Sequence, residues 1–184
     1  MTKNYVFTSQ RLGFRNWLVE DVEQMIAINR NKDVMRYFPA HATPEQTIEF
    51  IERMQALFHE KQYCYFAVDL LETNEFIGFI GLNDINYEAP FATSVDIGWR
   101  IAEKYWNKGY ATEGAKECLN YGFNQLKLGA IVSVAPEKNA PSISVMTKIG
   151  MTKSLTFKHP KLLKYPELME CVCYEIKNPI QFKL

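Results

Sequence analysis

The stretch Trp106-Asn107-Lys108-Gly109-Tyr110-Ala111-Thr112-Glu113 decides the fold of this chain. It lies between an apolar run, Ser94 to Ile101, and a helix-like pattern, Ala115 to Gln125, so we interpret it as a loop between a strand and a helix. Backbone N–H groups at the start of a helix have no intrahelical partners and lie at the positive end of the helix dipole. The loop is therefore predicted to form a cradle for a phosphate or pyrophosphate, which Gly109 allows to approach the backbone closely.

A second segment of the same character follows further along the chain. Pro136-Glu137-Lys138-Asn139-Ala140-Pro141-Ser142 joins a β-rich run, Ile131 to Val134, to a short helical pattern. One glycine before a helix is also typical of ordinary turns, so the first junction alone is weak evidence. Two adjacent strand-to-helix junctions are stronger evidence, and they indicate that both junctions border a single crevice.

The rest of the chain alternates between strand and helix patterns. Thr8 to Arg15 is strand-like, and a helix is predicted from about Val19 to Asn29. A second helix begins at Thr43, which can act as the N-cap, with Pro44 in the first turn and Gln46 three residues after the cap. The remaining predicted elements are strands at Tyr63 to Asp69, Phe76 to Asn86, Ala92 to Ile101, Ala130 to Ala135, Thr152 to Phe157 and Met169 to Ile176, and a helix at Ser142 to Ile149.

Periodicity predicts which helical side chains pack inward. The inward face of the second helix is expected to contain Ile48, Ile51, Met54, Gln55 and Phe58. That of the helix after the cradle is expected to contain Ala111, Ala115, Cys118, Leu119, Gly122 and Phe123. Glu113 lies in the first turn of this helix, where its carboxylate complements the dipole and can interact with Lys116. A structural role is therefore favoured for Glu113 over a catalytic one.

Several blocks of sequence occur in an order typical of one family. They are Ser9 to Arg15, Phe76 to Leu82, Val95 to Arg100, Tyr105 to Glu113, Glu137 to Ser142 and Lys148 to Met151. In these blocks, which span nearly the whole chain, it resembles the GNAT N-acetyltransferase superfamily, and within it the group similar to ribosomal-protein alanine acetyltransferases. The resemblance implies a GNAT-like α/β (α+β) fold: a mixed, mostly antiparallel sheet of about 6–7 strands, about four flanking helices, and a cofactor crevice between two central strands.

The resemblance also implies acetyl-coenzyme A as co-substrate. The cradle residues are Asn107, Lys108, Gly109, Tyr110, Ala111 and Thr112. The positions corresponding to a strand bulge that turns backbone N–H groups toward the thioester are Trp99, Arg100 and Ile101. Asn139 precedes the helix predicted at Ser142 to Ile149, where its side-chain amide would hydrogen-bond the pantetheine amide or serve only as a turn residue. Two positions depart from the family pattern, because Trp106 occupies the first position of the pyrophosphate motif and Met146 replaces a proton-donating tyrosine.

Three residues are candidates for proton transfer. Asp96 lies on a strand next to the crevice and is either a base or water-orienting group, or a surface or structural carboxylate. Ser142 lies at a predicted helix start, where an N-cap is its ordinary role. The resemblance assigns a serine here to cofactor contact and to protonation of the leaving thiolate, and both roles can coexist. His159 has a suitable unperturbed pKa, about 6.5, but its position alone assigns no role.

Length and composition indicate one domain, residues 1–184. The 21 basic and 21 acidic residues give a formal net charge of zero, which gives no support for a general nucleic-acid surface. The sequence has neither the apolar stretch of a signal peptide nor that of a membrane span, so no membrane association and a cytoplasmic location are expected. The four cysteines lack metal-site spacing; buried free thiols and no metal are predicted.

An amine held beside acetyl-coenzyme A can attack the thioester directly, because positioning alone lowers such barriers by up to about 7–11 kcal/mol. The leading hypothesis is an acetyl-coenzyme A dependent N-acetyltransferase acting on a primary amine, a protein amino terminus included. The rival is a non-catalytic acyl-coenzyme A binding or sensing protein, and a homodimer is left open. Acidic or neutral acceptors are expected to be preferred over polycations, because the predicted acceptor mouth carries Lys32, Arg36, Lys158, Lys161 and Lys164.

Overall fold

The computed structural model describes residues 3–91, 93 and 95–178, through which one eight-stranded sheet runs. The strands are β1 (Phe7–Thr8), β2 (Leu12–Arg15), β3 (Tyr65–Leu70), β4 (Phe76–Asp84), β5 (Val95–Ile101), β6 (Ala130–Pro136), β7 (Thr152–Lys158) and β8 (Glu170–Lys177). The α-helices are α1 (Asp21–Arg30), α2 (Pro44–Lys61), α3 (Tyr110–Asn124) and α4 (Ala140–Lys148). The spatial order is β1-β2-β3-β4-β5-β6-β8-β7, antiparallel throughout except between β5 and β6. The predicted mixed, mostly antiparallel sheet with helices is confirmed.

The strand count exceeds the predicted six to seven because the predicted strand from Thr8 to Arg15 is a hairpin. The Ser9 N–H donates to the Leu12 carbonyl at 2.9 Å, so the chain reverses between β1 and β2. This turn contains neither glycine nor proline, the residues that mark most turns in a sequence. At the other end of the meander, the predicted positions Ala92 and Ser94 lie outside the described residues, and β5 begins at Val95.

The start of α2 is confirmed in detail. The Thr43 hydroxyl accepts the Gln46 N–H at 3.2 Å, and the Gln46 side chain accepts the Thr43 N–H at 3.0 Å, which completes a capping box. The inward placement of Ile48 was wrong, because this side chain is 40% exposed. Thr47 is buried instead, and its hydroxyl accepts the Asn29 side-chain N–H of α1 at 3.0 Å.

Two glycines allow α3 to lie close to the sheet. A Cβ on Gly114 would stand 2.4 Å from the Ile80 side chain, and one on Gly122 would stand 2.9 Å from the Ile131 side chain. The buried residues of α3 are Gly114, Ala115, Cys118, Leu119, Gly122 and Phe123, close to the predicted face. Helix α3 is therefore held tightly against β4 near its start and against β6 near its end.

Glu113 has a structural role, although with other partners than predicted. Its carboxylate accepts hydrogen bonds from the Ser9 hydroxyl at 2.7 Å, the Arg11 N–H at 2.8 Å and the Arg11 side chain at 2.6 Å. The expected partner Lys116 is exposed and is not among these donors. Glu113 thus ties the β1–β2 turn to the start of α3.

All four cysteines are buried and free, as predicted. Among the described residues, no group of histidine, cysteine, aspartate and glutamate side chains is arranged to hold a metal ion. None of the helices in this part of the chain is long and apolar enough to cross a membrane.

Candidate active site

The crevice of the fold lies where β5 and β6 separate. Among the described residues the two strands pair only at Asp96 and Val132, and the Ser133 hydroxyl then donates to the Ile97 carbonyl at 2.9 Å. Beyond this point a cavity of about 510 Å³ opens between the strands. Its walls include residues of α2 on one side of the sheet and of α4 on the other. The cavity therefore gives two partners access to one place from opposite faces.

The register between β4 and β5 decides which backbone groups face this crevice. Seven consecutive residue pairs keep one register, so the described pairing lacks the bulge implied by the family resemblance. In an antiparallel pair, alternate residues direct their N–H and C=O groups to the same neighbour. The Ile101 carbonyl accepts the Trp106 indole N–H at 2.8 Å, away from β4, so the backbone N–H groups of Trp99 and Ile101 face the crevice. The Arg100 N–H faces β4 instead, which corrects the predicted role of its backbone.

Asp96 is the carboxylate placed at the centre of the crevice. Its side chain lies on the α1–α2 side of the sheet and accepts hydrogen bonds from the Tyr65 hydroxyl and the Val134 backbone N–H. Burial raises the pKa of Asp96 to about 6, and the two hydrogen bonds limit that rise because they favour the ionised form. Asp96 is therefore mainly ionised at pH 7 and readily protonated just below it, as a general base working near neutral pH requires.

Tyr65 is a site residue that the sequence analysis missed. It lies opposite Gly81 of β4, which in turn lies opposite Gly98 of β5, so two positions without side chains leave room for the ring. A Cβ on Gly98 would stand 3.0 Å from the Tyr65 hydroxyl oxygen. Burial raises the pKa of Tyr65 far above its usual value, so the phenol stays a donor to Asp96. The feature that identifies Tyr65 is its alignment with Gly81 and Gly98 across three strands. This alignment is known only from the strand register.

Helix α4 brings Asn139, Ser142 and Met146 to the crevice. Asn139 is the N-cap, since its side-chain oxygen accepts the Ser142 N–H at 3.2 Å. The N-cap interpretation of Ser142 is therefore wrong, because Ser142 lies in the first turn of the helix. Within the described chain, no hydrogen bond engages the Ser142 hydroxyl, so it is available to a ligand. Met146 is buried at the position of the family's tyrosine.

His159 lines a neighbouring cavity of about 340 Å³, which Asp96 also lines. Its Nδ1 accepts the Lys161 N–H at 3.2 Å, and its ring lies 4.3 Å from that of Tyr87 between centroids. The neutral ring then carries its proton on Nε2 and offers no free lone pair to a substrate. Burial and the charge of Lys161 lower the pKa of His159. These contacts disfavour His159 as the base.

The predicted cradle is a turn with two left-handed residues before α3. Asn107 has a φ of 59° and Gly109, the N-cap, a φ of 81°. The first helical hydrogen bond joins the Glu113 N–H to the Gly109 carbonyl at 3.0 Å, and no side chain caps this described helix start. The N–H groups that this leaves without helical partners are those of Tyr110, Ala111 and Thr112.

Arg11, whose guanidinium is ion-paired with Glu113 at 2.6 Å, lies beside the cradle, a placement that the sequence did not reveal. Its guanidinium carbon lies 4.5 Å from the centre of the Tyr110 ring, and a Cβ on Gly109 would stand 3.5 Å from one of its terminal nitrogens. Space at Gly109 is thus adequate, and the positive φ is what favours glycine there. The unpaired N–H groups and the helix dipole suit an anion. The Arg11 side chain bonds Glu113 through Nε, and its terminal nitrogens can add donors.

Residues 11–152 match the family model of the acetyltransferase (GNAT) domain. The chain belongs to the GNAT acetyltransferase family. It is 32% identical over 152 residues to the uncharacterized N-acetyltransferase YnaD of Bacillus subtilis (strain 168), covering 82% of this chain and 85% of that protein. It is 31% identical to a GNAT-family acetyltransferase of Bacillus anthracis of known crystal structure, with a TM-score of 0.76 and coverage of 93% and 97%. The spermidine N(1)-acetyltransferase of Escherichia coli (strain K12) is 27% identical over 133 residues, 72% of this chain and 68% of that protein.

In this GNAT N-acetyltransferase the predicted site residues fall into three groups. Those lining the larger cavity are Asp96, Trp99, Arg100, Asn139 and Ser142. Those lining the smaller cavity are Asp96 and His159. Those lining neither are Ile101 and the cradle residues Asn107, Lys108, Gly109, Tyr110, Ala111 and Thr112. The donors at the cradle suit pyrophosphate oxygens, and those along β5 and at Asn139 suit pantetheine carbonyls, so the residues present fit coenzyme A.

Proposed function

We propose that this N-acetyltransferase moves the acetyl group of acetyl-coenzyme A to a primary amine by direct attack within a ternary complex. The observation that carries the proposal is Asp96, a carboxylate with a pKa of about 6 that lines both cavities where β5 and β6 separate. Primary amines are mostly protonated at pH 7, whereas only the neutral amine attacks a thioester. A half-buried base at this point supplies the required proton acceptor.

The two substrates take opposite faces of the sheet. Acetyl-coenzyme A supplies the activated acetyl group, and the cradle at the start of α3 holds its pyrophosphate. The crevice-facing N–H groups of Trp99 and Ile101 position its pantetheine arm and acetyl carbonyl, with the Asn139 side-chain amide on the opposite wall. The amine enters from the α1–α2 side, where Phe38 and Tyr65 line the cavity above Asp96.

Proton movement follows from the same arrangement. Asp96 removes a proton from the bound ammonium and releases it to solvent, and the neutral amine nitrogen then forms a bond to the acetyl carbon. The nitrogen loses its second proton to the Asp96 carboxylate as the carbon–sulfur bond breaks, which leaves a neutral amide. The Ser142 hydroxyl, which faces the cavity without a protein partner among the described residues, donates a proton toward the departing sulfur. Ser142 regains its proton from solvent, because the cavity is open at its rim.

A protein amino terminus is one acceptor that such a site accommodates. The sequence resemblance to ribosomal-protein alanine acetyltransferases supports this acceptor. The larger cavity is open to solvent, so the end of a polypeptide chain can enter it. An α-amino group has a pKa of about 7.7–8.0, well below that of a lysine side chain. Asp96, with a pKa of about 6, therefore deprotonates an α-ammonium group more readily than a lysine ammonium.

The test is release of coenzyme A thiol from acetyl-coenzyme A with a panel of primary amines and peptides, with product masses measured in parallel. We expect thiol release that depends on the amine and matches the acetylated product. Each acceptor is paired with its N-acetylated form as control, which should release no thiol. Tight binding of acetyl-coenzyme A without thiol release from any acceptor would instead identify a non-catalytic acyl-coenzyme A binding protein.

A further inference from the structure

Arg100 is a half-buried cation, and its hydrogen-bond partner among the described residues is neutral. Its guanidinium donates to the Asn29 side-chain oxygen at 2.7 Å and lies 4.2 Å from the centre of the Phe38 ring and 5.4 Å from that of Phe79. Its Nε–H is buried without an acceptor in the described chain. Burial lowers the pKa of Arg100 to about 10. A guanidinium in such surroundings is costly unless an anion accompanies it.

Arg15 shows how this protein stabilises a buried arginine by its own side chains. It is 2% exposed and forms ion pairs with Asp21 at 2.6 Å and with Asp69 at 2.7 Å. Both carboxylates are fully buried with it. Among the described residues Arg100 has no equivalent ion pair, so a ligand is the remaining source of an anion for it.

The position of Arg100 identifies which ligand. Its side chain lies on the α1–α2 face of the sheet and lines the 510 Å³ cavity together with Asp96, Glu49 and Arg53. Neither the Asp96 nor the Glu49 carboxylate lies within ion-pair distance of Arg100 in the described chain. The cradle for coenzyme A phosphates lies at the start of α3, on the opposite face. An anion bound to Arg100 is therefore expected to belong to the acceptor rather than to the coenzyme A phosphates.

The basic residues predicted at the acceptor mouth contribute less than expected. Of the five, only Lys161 lines either cavity, and it donates to the Asn86 side chain at 2.5 Å. The positive charges that face the acceptor within the larger cavity are those of Arg53 and Arg100. The predicted preference against polycations thus rests on different residues.

We infer that the acceptor carries a carboxylate that binds the Arg100 guanidinium while its amine reaches Asp96, an inference that rests on the proposed function. Arginine suits this task, because its planar fork donates two parallel hydrogen bonds to a carboxylate. Asp96 and Arg100 lie four residues apart on β5, so their Cα atoms are about 13 Å apart. The amine and the carboxylate of the acceptor are therefore several bonds apart, as in an ω-amino acid or a short peptide with a free carboxylate.

The experiment compares kcat/KM for 6-aminohexanoate and 6-aminohexanamide, which share the amine and the chain and differ in charge at the far end. We expect the wild-type enzyme to prefer the acid by about tenfold or more, the effect of one hydrogen-bonded charge. Arg100→Met keeps an unbranched side chain against Phe38 and should bring this ratio close to one. Arg30→Met removes an exposed arginine that lines neither cavity, and it should keep the wild-type ratio.

A second measurement needs no variant. Hexanoate, which has the carboxylate and lacks the amine, should inhibit acetyl transfer competitively with the acceptor, whereas hexanamide should inhibit at least about tenfold more weakly. Equal kcat/KM for acid and amide in the wild-type enzyme, or acetylation confined to spermidine, would overturn the inference and leave the proposed function intact. Thiol release from no amine at all would overturn the proposed function itself.

Discussion

Replacing Tyr65 by phenylalanine should move the pH dependence of acetyl transfer toward higher pH. The Tyr65 hydroxyl donates to the Asp96 carboxylate, and such a bond favours the ionised form and lowers the pKa. Tyr65→Phe keeps the ring over Gly81 and Gly98 and removes only this donor. The pKa of Asp96 should then rise, so that a higher pH is needed before the base is ionised.

The size of the shift follows from the hydrogen bond. A bond to a charged group contributes about 1.5–3 kcal/mol, and 1.36 kcal/mol corresponds to one pKa unit. The acid limb of the kcat/KM profile, expected near the Asp96 pKa of about 6, should therefore move up by roughly one to two units. The Val134 N–H remains as a donor and keeps the shift from being larger.

The assay is kcat/KM from about pH 5 to 9, the span that brackets a limb near 6, with one acceptor used throughout so that its own ionisation cancels. Tyr121→Phe is the matched control, because the Tyr121 hydroxyl donates to the Gln62 carbonyl at 2.7 Å, away from Asp96. This control should leave the limb in place. A Tyr65→Phe enzyme whose activity falls uniformly, with the limb unmoved, would refute the reasoning and reduce Tyr65 to a packing residue.

Further substitutions separate the remaining assignments. Gly109→Val should abolish coenzyme A binding in calorimetry, because a β-branched residue resists a φ of 81° and would lie where the anion binds, whereas Lys108→Ala should weaken binding modestly; unchanged affinity in Gly109→Val would place the anion elsewhere. Ser142→Ala should lower kcat by about 10²- to 10⁴-fold with little change in melting temperature. Asn139→Ala should lower the free energy of unfolding by about 1 kcal/mol through loss of the cap. If Ser142→Ala lowered the melting temperature and left kcat near the wild-type value, Ser142 would be a structural residue.

Features set by local chemistry were accessible from the sequence. The Thr43 to Gln46 capping box, the inward face of α3 and the glycine turn before it each depend on residues within one or two turns of one another. Asp96 was named as a candidate because it lies on the strand before that turn. Its burial and its contacts remained open, since they depend on neighbouring strands.

Features set by pairing between distant segments were not accessible. The Tyr65–Asp96 contact spans three strands and depends on glycines at 81 and 98, and the direction of the Arg100 backbone depends on the register with β4. Thr47 is buried in place of the predicted Ile48 because the Asn29 side chain of α1 donates a hydrogen bond to the Thr47 hydroxyl. In each case a partner far along the chain decided between two locally acceptable arrangements.

The central claim is that Asp96 removes the proton from the attacking amine. Asp96→Asn tests it directly, because asparagine has nearly the same shape and can still accept the Tyr65 hydrogen bond, yet it cannot take up a proton. Acetyl-coenzyme A affinity and kcat/KM should be measured on the same preparation. We predict unchanged affinity and a loss of about 10²- to 10⁴-fold in kcat/KM. Turnover within a few-fold of the wild-type enzyme, at unchanged affinity, would contradict the claim.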